Sequence, residues 1–434
     1  MRAVRVELTP LHKWSIVCLL ALGMVIAYVD RTNLSVVLAL RDFRELFRLS
    51  DFDRGLLNSA FFWSYAILQI PAGWIVDRYG TKVPYGIGFL FWCIVSAATG
   101  LVQSVNQLIG ARLLLGAGES ISTAASLRWI RFNCSEQERG LATGILFSGT
   151  KIGAAVGIPI TALLLARFDW QMMFVILGLG GLVWLFGWIA LVGREELPKA
   201  QPGRPDQLHA PTTIAMLRTP TLWGILLGTF SYNYFIYFCL TWLPSYFVEA
   251  RHLSLNSMSF YTMFSFAGMA VIGILAGAFA DGLIRQGKNA VLVRKVFTLL
   301  GLIAGSTEVF GALSHSQSVS IFFALFSLSG LGLATANYWA LTQTLVPKQA
   351  IGRIVGVQNF SSNCSGIVAP IITGWLKQVT GSYLASMTAV LVVLLIGIYS
   401  YGFLVKEQVP QPAAIGCLKC VCNLNFAGRR ITFR

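Results

Sequence analysis

Charged residues are scarce in this chain. Of its 434 residues only 12% are Asp, Glu, Lys or Arg, whereas 56% are apolar. Soluble domains usually contain about 25% charged residues, so the composition excludes an ordinary water-soluble protein. Apolar runs recur along the whole sequence, and each is long enough to cross about 30 Å of hydrocarbon. The composition therefore indicates a multi-pass membrane protein.

The sequence also lacks the features of several other classes. It shows no nucleotide-binding loop, no soluble domain and no candidate catalytic residues, which argues against an enzyme, and the tail after Val405 is too short for the signalling domain of a sensor. The first apolar run is too long for a signal-peptide core, and no small-residue cleavage site follows it. The eight cysteines form no secreted disulfide pattern. Cys417, Cys420 and Cys422 lack a second pair or a histidine, so we favour an unstructured tail and expect no metal.

A hydropathy window predicts twelve membrane helices and hence an all-α membrane protein. The predicted spans are 14–40, 55–76, 83–103, 106–130, 140–166, 170–192, 222–247, 258–280, 292–313, 318–343, 351–376 and 383–405. A proline-rich segment from Gly193 to Pro220 interrupts this series and reads as a surface linker. We therefore predict an amino-terminal six-helix bundle (1–192), a cytoplasmic linker (193–221), a carboxy-terminal six-helix bundle (222–405) and a cytoplasmic tail (406–434).

The distribution of basic residues predicts the orientation. A net charge of +15 would suit nucleic acid, but most lysines and arginines fall in alternate loops on the side of the two chain ends. This bias predicts that both termini are cytoplasmic. We expect a protein of the bacterial inner membrane that is embedded in lipid, binds no nucleic acid and acts as a monomer.

The two halves repeat a loop pattern. Gly73 and Asp77, followed by Arg78, recur 204 residues later as Gly277 and Asp281, with Arg285 nearby. Duplicated halves with a binding site between them are typical of secondary transporters. We interpret Asp77 with Arg78, and Asp281 with Arg285, as ion pairs of a cytoplasmic gate.

Five charged residues interrupt the apolar runs of the first half: Asp30, Arg31, Arg112, Glu119 and Lys151. A charge at the centre of a membrane helix costs roughly 2.5–3.5 kcal/mol on insertion scales, so each needs a partner or a function. Arg112 and Glu119 are seven residues apart and share one helix face. Structural salt bridges are one explanation. The other is that the three cations bind an anion while Asp30 and Glu119 titrate, with ionised Asp30 holding Arg31 away from substrate.

The second half offers neutral polar groups instead. Amides and hydroxyls suit a polyhydroxylated ligand, although each may equally serve interhelical hydrogen bonding. The substrate-contact candidates beside the three cations are Tyr28, Asn337, Thr342, Asn359 and Asn363. Glu308 has no evident basic partner and is interpreted as a polar residue at the external end, without an assigned role.

Several motifs resemble a known family. Gly73…Asp77-Arg78…Gly80-Thr81-Lys82 is similar to the loop signature of the major facilitator superfamily. Five further motifs resemble one family of this superfamily, the anion:cation symporters. They are Tyr28-x-Asp30-Arg31-x-Asn33-Leu34-Ser35, Arg112…Gly116-x-Gly118-Glu119, Glu138-Arg139-Gly140, Trp242-Leu243-Pro244-x-Tyr246 and Asn359-Phe360…Asn363…Gly366…Pro370. Ser126–Arg131 departs from it in lacking the proline common near that end of the fourth span.

The resemblance implies a fold and a function. The fold would be two pseudo-symmetric six-helix halves, as in bacterial galactonate, glucarate and hexuronate symporters. The function would be proton-coupled uptake of a small organic anion, such as an aldonate, aldarate or hexuronate, by alternating access. No cofactor is implied beyond the proton gradient. An anion exchanger, or a symporter for another carboxylate or an organic phosphate, remains the alternative.

Overall fold

The fold is built from α-helices. The computed structural model describes residues 9–193, 216, 218–346 and 351–406, and these ranges contain no β-strand. The first half forms α1 (Pro10–Val37), α2 (Arg41–Leu46), α3 (Asp51–Tyr79), α4 (Lys82–Ala98), α5 (Val105–Asn133), α6 (Glu136–Leu165) and α7 (Trp170–Leu191). The second half forms α8 (Pro220–Ser245), α9 (Leu255–Arg285), α10 (Ala290–Ser306), α11 (Glu308–Leu313), α12 (Gln317–Leu345), α13 (Ile351–Thr380) and α14 (Tyr383–Tyr399). All but the short α2 and α11 are long, which confirms the predicted all-α architecture of two six-helix halves.

Local sequence sets where the helices begin and end. Ser50 and Asp53 form a capping box at the start of α3, which satisfies backbone N–H groups that have no partner within the helix. The same helix ends at Gly80, whose φ of 79° is a conformation that glycine adopts without strain. Pro220 lies in the first turn of α8, where a missing N–H removes no helical hydrogen bond.

Several helices extend beyond the predicted apolar runs because polar residues continue them. The predicted span 55–76 is α3, Asp51–Tyr79, and 258–280 is α9, Leu255–Arg285. The predicted span 292–313 corresponds to one apolar stretch, Ala290–Leu313, in which α10 ends at Ser306 and α11 begins at Glu308. At this break the Thr307 hydroxyl donates to the Ala304 carbonyl at 2.7 Å. A hydropathy window averages over such a break and does not reveal it.

The outer surface suits a lipid bilayer. Within the described ranges, nine helices are long and apolar enough to cross a membrane by length and composition. The other three long helices, α5, α8 and α13, carry polar side chains in their middle turns, which lowers their hydropathy. Ile70, Val183 and Phe186 are among the large apolar side chains exposed on the outside, where lipid rather than water would surround them.

The halves repeat one packing pattern. In the first half α1 packs against α6 and α3 against α5, and in the second α8 packs against α13 and α9 against α12. The halves meet through α3 with α13 and through α6 with α9. Most of the predicted linker, 194–215 and 217, and the tail beyond Lys406 lie outside the described residues.

Charged side chains join the two halves at one end of the molecule. We call the end that holds the start of α1 and the end of α14 the terminal end, and the opposite end the distal end. At the distal end Arg54 donates to Glu249 at 2.6 Å and to the Ser245 hydroxyl at 2.6 Å. Lys377 donates to Asp51 at 2.8 Å and to Glu249 at 2.6 Å. We refer to these five residues as the distal network.

Backbone packing closes the same end. A Cβ added to Gly55 of α3 would clash with the carbonyl oxygen of Pro370 in α13, and one added to Gly366 would lie 2.6 Å from the Phe62 ring. The ion pairs that join the two halves among the described residues all lie at the distal end. The described conformation is therefore closed at the distal end.

Candidate functional site

A buried ion pair joins α1 to α5 in the first half. The Nε of Arg31 donates to Glu119 at 2.8 Å, and Glu119 is 0% exposed. The Arg31 guanidinium also lies over the rings of Tyr28, Phe61 and Tyr65, at 4.7, 4.6 and 4.5 Å from their centroids. Cation–π contacts of this kind stabilise a desolvated cation, so Arg31 retains favourable contacts even when its carboxylate partner is neutral.

The pairing differs from the sequence-based prediction. Asp30 was expected to hold Arg31, but its Oδ1 accepts from the Ser96 hydroxyl at 2.7 Å and from the Asn33 amide at 3.4 Å. Neighbours in a helix point in directions about 100° apart, and Asp30 therefore faces α4 while Arg31 reaches α5. Glu119, not Asp30, is the carboxylate that holds Arg31.

Arg112 of α5 is held by hydrogen bonds to α1. Its guanidinium donates to the Asp30 carbonyl at 3.2 Å and to the Asn33 side-chain oxygen at 3.0 Å. The residue is only 4% exposed, and it lies beside Asp30 rather than in an ion pair with Glu119. In this conformation Arg112 is enclosed, so an anion reaches it only if the surrounding helices move.

Lys151 is the accessible cation of the site. It lies on α6 and is partly exposed, and within the described ranges its ammonium group makes no ion pair or hydrogen bond. Two residues further along α6, Gly153 packs so closely on α1 that an added Cβ would lie 2.7 Å from the Cβ of Tyr28. The glycine thus lets the backbone of α6 pack closely against α1 at the partly exposed Tyr28.

The neutral candidates of the second half separate into two groups. Asn337 is fully buried, donates to the Leu333 carbonyl and accepts from Arg294 at 3.4 Å. Thr342 is fully buried and donates to the Tyr338 carbonyl at 3.1 Å. Both were predicted to contact substrate, but here their polar groups are used within their own half, because they lie on the face of α12 that packs inside the bundle.

Asn359 and Asn363 lie instead between the halves. Their side-chain amides donate to the same oxygen of Gln69 in α3, at 3.1 and 3.3 Å. Sequence analysis missed Gln69, although a glutamine within an apolar run is itself a signal. These three amides join α3 to α13 and place several hydrogen-bonding groups between the halves.

The predicted gate residues have partners other than the predicted ones. Asp77 pairs with Arg128 at 2.8 Å, within its own half. Arg78 lies instead over the rings of Trp74 and Tyr79.

The equivalent loop of the second half repeats this arrangement. Asp281 pairs with Arg294 at 2.8 Å, also within its own half. Arg285 is exposed and has no ion-pair partner in the part of the chain that the structure describes. Each half thus has an ion pair of a predicted gate residue at the terminal end, and neither pair joins the two halves in this conformation.

Two duplicated helical halves packed around intramembrane charges define a secondary membrane transporter. The chain belongs to the Major Facilitator Superfamily, whose family model matches residues 20–370. It is therefore a transporter and not an enzyme.

Individual members of this superfamily are similar to the chain in sequence or in fold. The chain is 30% identical over 380 residues to the hexuronate transporter of Bacillus subtilis, covering 86% of this chain and 89% of the relative. It is 29% identical over 406 residues to a D-galactonate transporter of Escherichia coli, covering 88% and 93%. Its fold is similar to the crystal structure of a bacterial homologue of the human lysosomal transporter Spinster, with a TM-score of 0.78 and 17% identity over 92% of this chain and 98% of that chain. The relatives confirm the resemblance to sugar-acid transporters of this superfamily.

Proposed function

We propose that the chain is a proton-coupled symporter that takes up a small organic anion, namely a sugar acid such as an aldonate, aldarate or hexuronate. The relatives that transport hexuronate and galactonate support this substrate class. The basic loops support a cytoplasmic terminal end in a bacterial inner membrane. With that orientation, closure at the distal end makes the described conformation inward-facing, and we expect a monomer to complete the cycle.

The Arg31–Glu119 pair carries the proposal. The membrane helices of the first half carry three cations, Arg31, Arg112 and Lys151, and two carboxylates, Asp30 and Glu119. These five groups have a net charge of +1 when both acids are ionised and +3 when both are protonated. Protonation of Glu119 releases the Arg31 guanidinium from its 2.8 Å partner while the three aromatic rings keep it in place. An anion then binds better because it meets a more positive site, and by linkage the bound anion favours the protonated form.

The partly exposed groups would form the substrate contacts. Lys151 of α6 supplies a point charge for a carboxylate, and the partly exposed Tyr28 of α1 would be a further contact. Asn359 and Asn363 of the opposite half, together with Gln69 of α3, would hydrogen-bond the hydroxyl groups of the same molecule. A ligand held by both halves would draw them together, as alternating access requires.

Uptake into proteoliposomes tests the proposal, with radiolabelled D-galactonate and D-glucuronate as probes. We expect an imposed inward proton gradient to drive accumulation of at least one probe, and a proton ionophore to abolish it. Exchange for preloaded anion without any response to the proton gradient would instead identify an anion exchanger. Failure of every sugar acid to bind in a thermal-shift screen, with binding of an organic phosphate, would contradict the substrate class.

A further inference from the structure

A third buried carboxylate, after Asp30 and Glu119, lies in the carboxy-terminal half. Glu308 begins α11, directly after the break in the ninth span, and is 2% exposed. One of its oxygens accepts a short hydrogen bond from the hydroxyl of Ser327 in α12. The other, Oε1, is buried without a hydrogen-bond partner among the described residues.

The groups around Glu308 do not neutralise it. Cys239 and Tyr246 face it from α8 and the turn that follows, and Arg251 is the cation near enough to interact with it. The Arg251 nitrogens, however, donate to the Gly311 and Ser314 carbonyls and to the Tyr246 hydroxyl, at 2.7, 3.0 and 2.8 Å.

The other helices packed against this position add no cation. Between their first and last residues, α12 and α14 contain no Asp, Glu, Lys, Arg or His. Thus Glu308 has no ion-pair partner within the described structure. An ionised carboxylate buried in this way would be strongly unfavourable.

If Glu308 is protonated, its side chain is a neutral carboxylic acid and no charge is buried. A metal cation would need several oxygen ligands around it, whereas the hydrogen-bond partner that the structure provides for Glu308 is Ser327 alone. We propose that Glu308 is a further proton-binding site of this transporter, separate from Asp30 and Glu119 and protonated in the distal-closed conformation. The inference rests on the proposed function only in taking the proton as the coupled ion.

The break beside Glu308 links the site to the transport cycle. Arg251 holds the last carbonyls of α11 and follows the same turn that carries Glu249 of the distal network. Opening of the distal end must separate Glu249 from Arg54, and this movement would shift Arg251 and α11 relative to α12. Glu308 would then meet water or Arg251, either of which stabilises the ionised form, and its proton would leave.

Infrared difference spectroscopy of the full-length protein in lipid tests this assignment directly. A protonated carboxyl has a carbonyl stretch that an ionised carboxylate lacks. We expect the wild type to show a buried carboxyl band that disappears as the pH is raised, and Glu308→Gln to lack that band at every pH. Glu45→Gln is the matched control, because the Glu45 side chain is 63% exposed on α2, and it should leave the band unchanged.

A second variant keeps the assignment testable if Glu308→Gln fails to fold. Ser327→Ala removes the hydrogen bond to Glu308 and should move the same band to higher frequency without abolishing it. A band that Glu308→Gln and Ser327→Ala both leave unchanged would overturn the proposal, and so would a Glu308 band that does not respond to pH. Loss of the band on adding sodium at constant pH would show that a metal cation, not a proton, occupies the site.

The two proposals fail separately. No substrate is needed to observe the Glu308 band, so a band that responds to pH supports this site even if sugar-acid uptake is not found. Conversely, if Glu119→Gln uncouples transport but the Glu308 band never titrates, only the proton site at Glu308 is wrong.

Discussion

The two halves share a backbone arrangement but handle charge in opposite ways. The first half buries Arg31, Glu119, Asp30 and Arg112 near its centre. In the second half α8 contains no charged residue, although nearly all of its side chains are buried. The duplicated packing therefore preserves the shape of each half without preserving the distribution of its buried charges.

The polar groups of the two halves also differ in the partners that they need. A buried cation needs a counter-ion or aromatic contacts, and Arg31 has both. Asn359 and Asn363 carry no charge and need only Gln69 as their partner. In the proposed function, the charged end of a sugar acid would meet the cations of the first half, and its hydroxyl groups would meet the amides that lie between the halves.

The largest expected effect is that of Glu119→Gln, which removes the titratable carboxylate and keeps its size. The glutamine oxygen can still accept from Arg31, so the fold should survive. Accumulation of D-galactonate driven by a proton gradient should be lost, because the carrier can no longer bind and release a proton at this position. Counterflow exchange, which needs no proton release, should continue.

Paired counterflow and pH-driven uptake in proteoliposomes measure this split, with Glu45→Gln as the control. Full pH-driven accumulation by Glu119→Gln would show that the charged half is not where the proton acts. Asp30→Asn sharpens the comparison, because it should show the same split if Asp30 titrates and only weaker binding if it positions Arg112 through Asn33.

The next effect concerns Glu249, the carboxylate by which the second half holds Arg54 of the first. Arg54 is 1% exposed, and breaking a buried ion pair costs about 3–5 kcal/mol. Since Asp51 still pairs with Arg54, we expect Glu249→Gln to destabilise the distal-closed state by about 3 kcal/mol. A single cysteine at Phe62, in a chain without native cysteines, should become more reactive toward a membrane-impermeant reagent added outside.

Acid should weaken the same closure. Burial favours a higher pKa for Glu249, but Arg54 and Lys377 outweigh burial and hold the pKa below its usual range. The depressed pKa means that ionised Glu249 stabilises the distal-closed state at any pH above the ordinary glutamate pKa, and this stabilisation is lost as the pH falls through the pKa of Glu249 in the closed state. Labelling at position 62 should therefore rise only below about pH 4. A rise already near neutral pH would contradict the ion-pair explanation.

Lys151→Gln comes third. Lys151 has no ion-pair partner in the described part of the chain, so its loss should leave stability nearly unchanged and weaken anion binding by roughly tenfold to a hundredfold. Arg112→Gln should instead lower the thermal stability, because Arg112 supports Asn33 and the Asp30 carbonyl. Thermal-shift titration with D-galactonate separates the two variants. Unchanged affinity in Lys151→Gln would show that this cation has no part in binding.

The smallest effect is expected at the gate loops. Asp77 pairs with Arg128, but the Asp77 side chain is 76% exposed, and exposed ion pairs contribute about 0–1 kcal/mol. Asp77→Asn should shift the carrier modestly toward the inward-open state by weakening the outward-open one, and reduce labelling at position 62. Asp281→Asn is its matched partner in the second half. Unchanged or increased labelling in both variants would refute the gate assignment.

The sequence by itself determined the class of protein and the identity of most charged groups. Membrane helices are recognisable because every apolar run must be long enough to cross the hydrocarbon. Asp30, Arg31, Arg112, Glu119 and Lys151 stood out because charge is costly at that depth. The repeated loop motifs around Asp77 and Asp281 were likewise visible as a pattern.

Only the tertiary structure decided which of these groups face one another. Arg31 reaches Glu119 rather than its neighbour Asp30, because the direction of a side chain depends on helix rotation and packing across α1, α4 and α5. Helix rotation and packing also direct the side chains of Asn337 and Thr342 toward the interior of the second half. They likewise place Gln69 beside Asn359 and enclose Glu308 next to a break in its helix. Residue type and spacing reveal which groups need a partner, but the partner comes from a helix distant in sequence, whose position follows from the packing of the whole bundle.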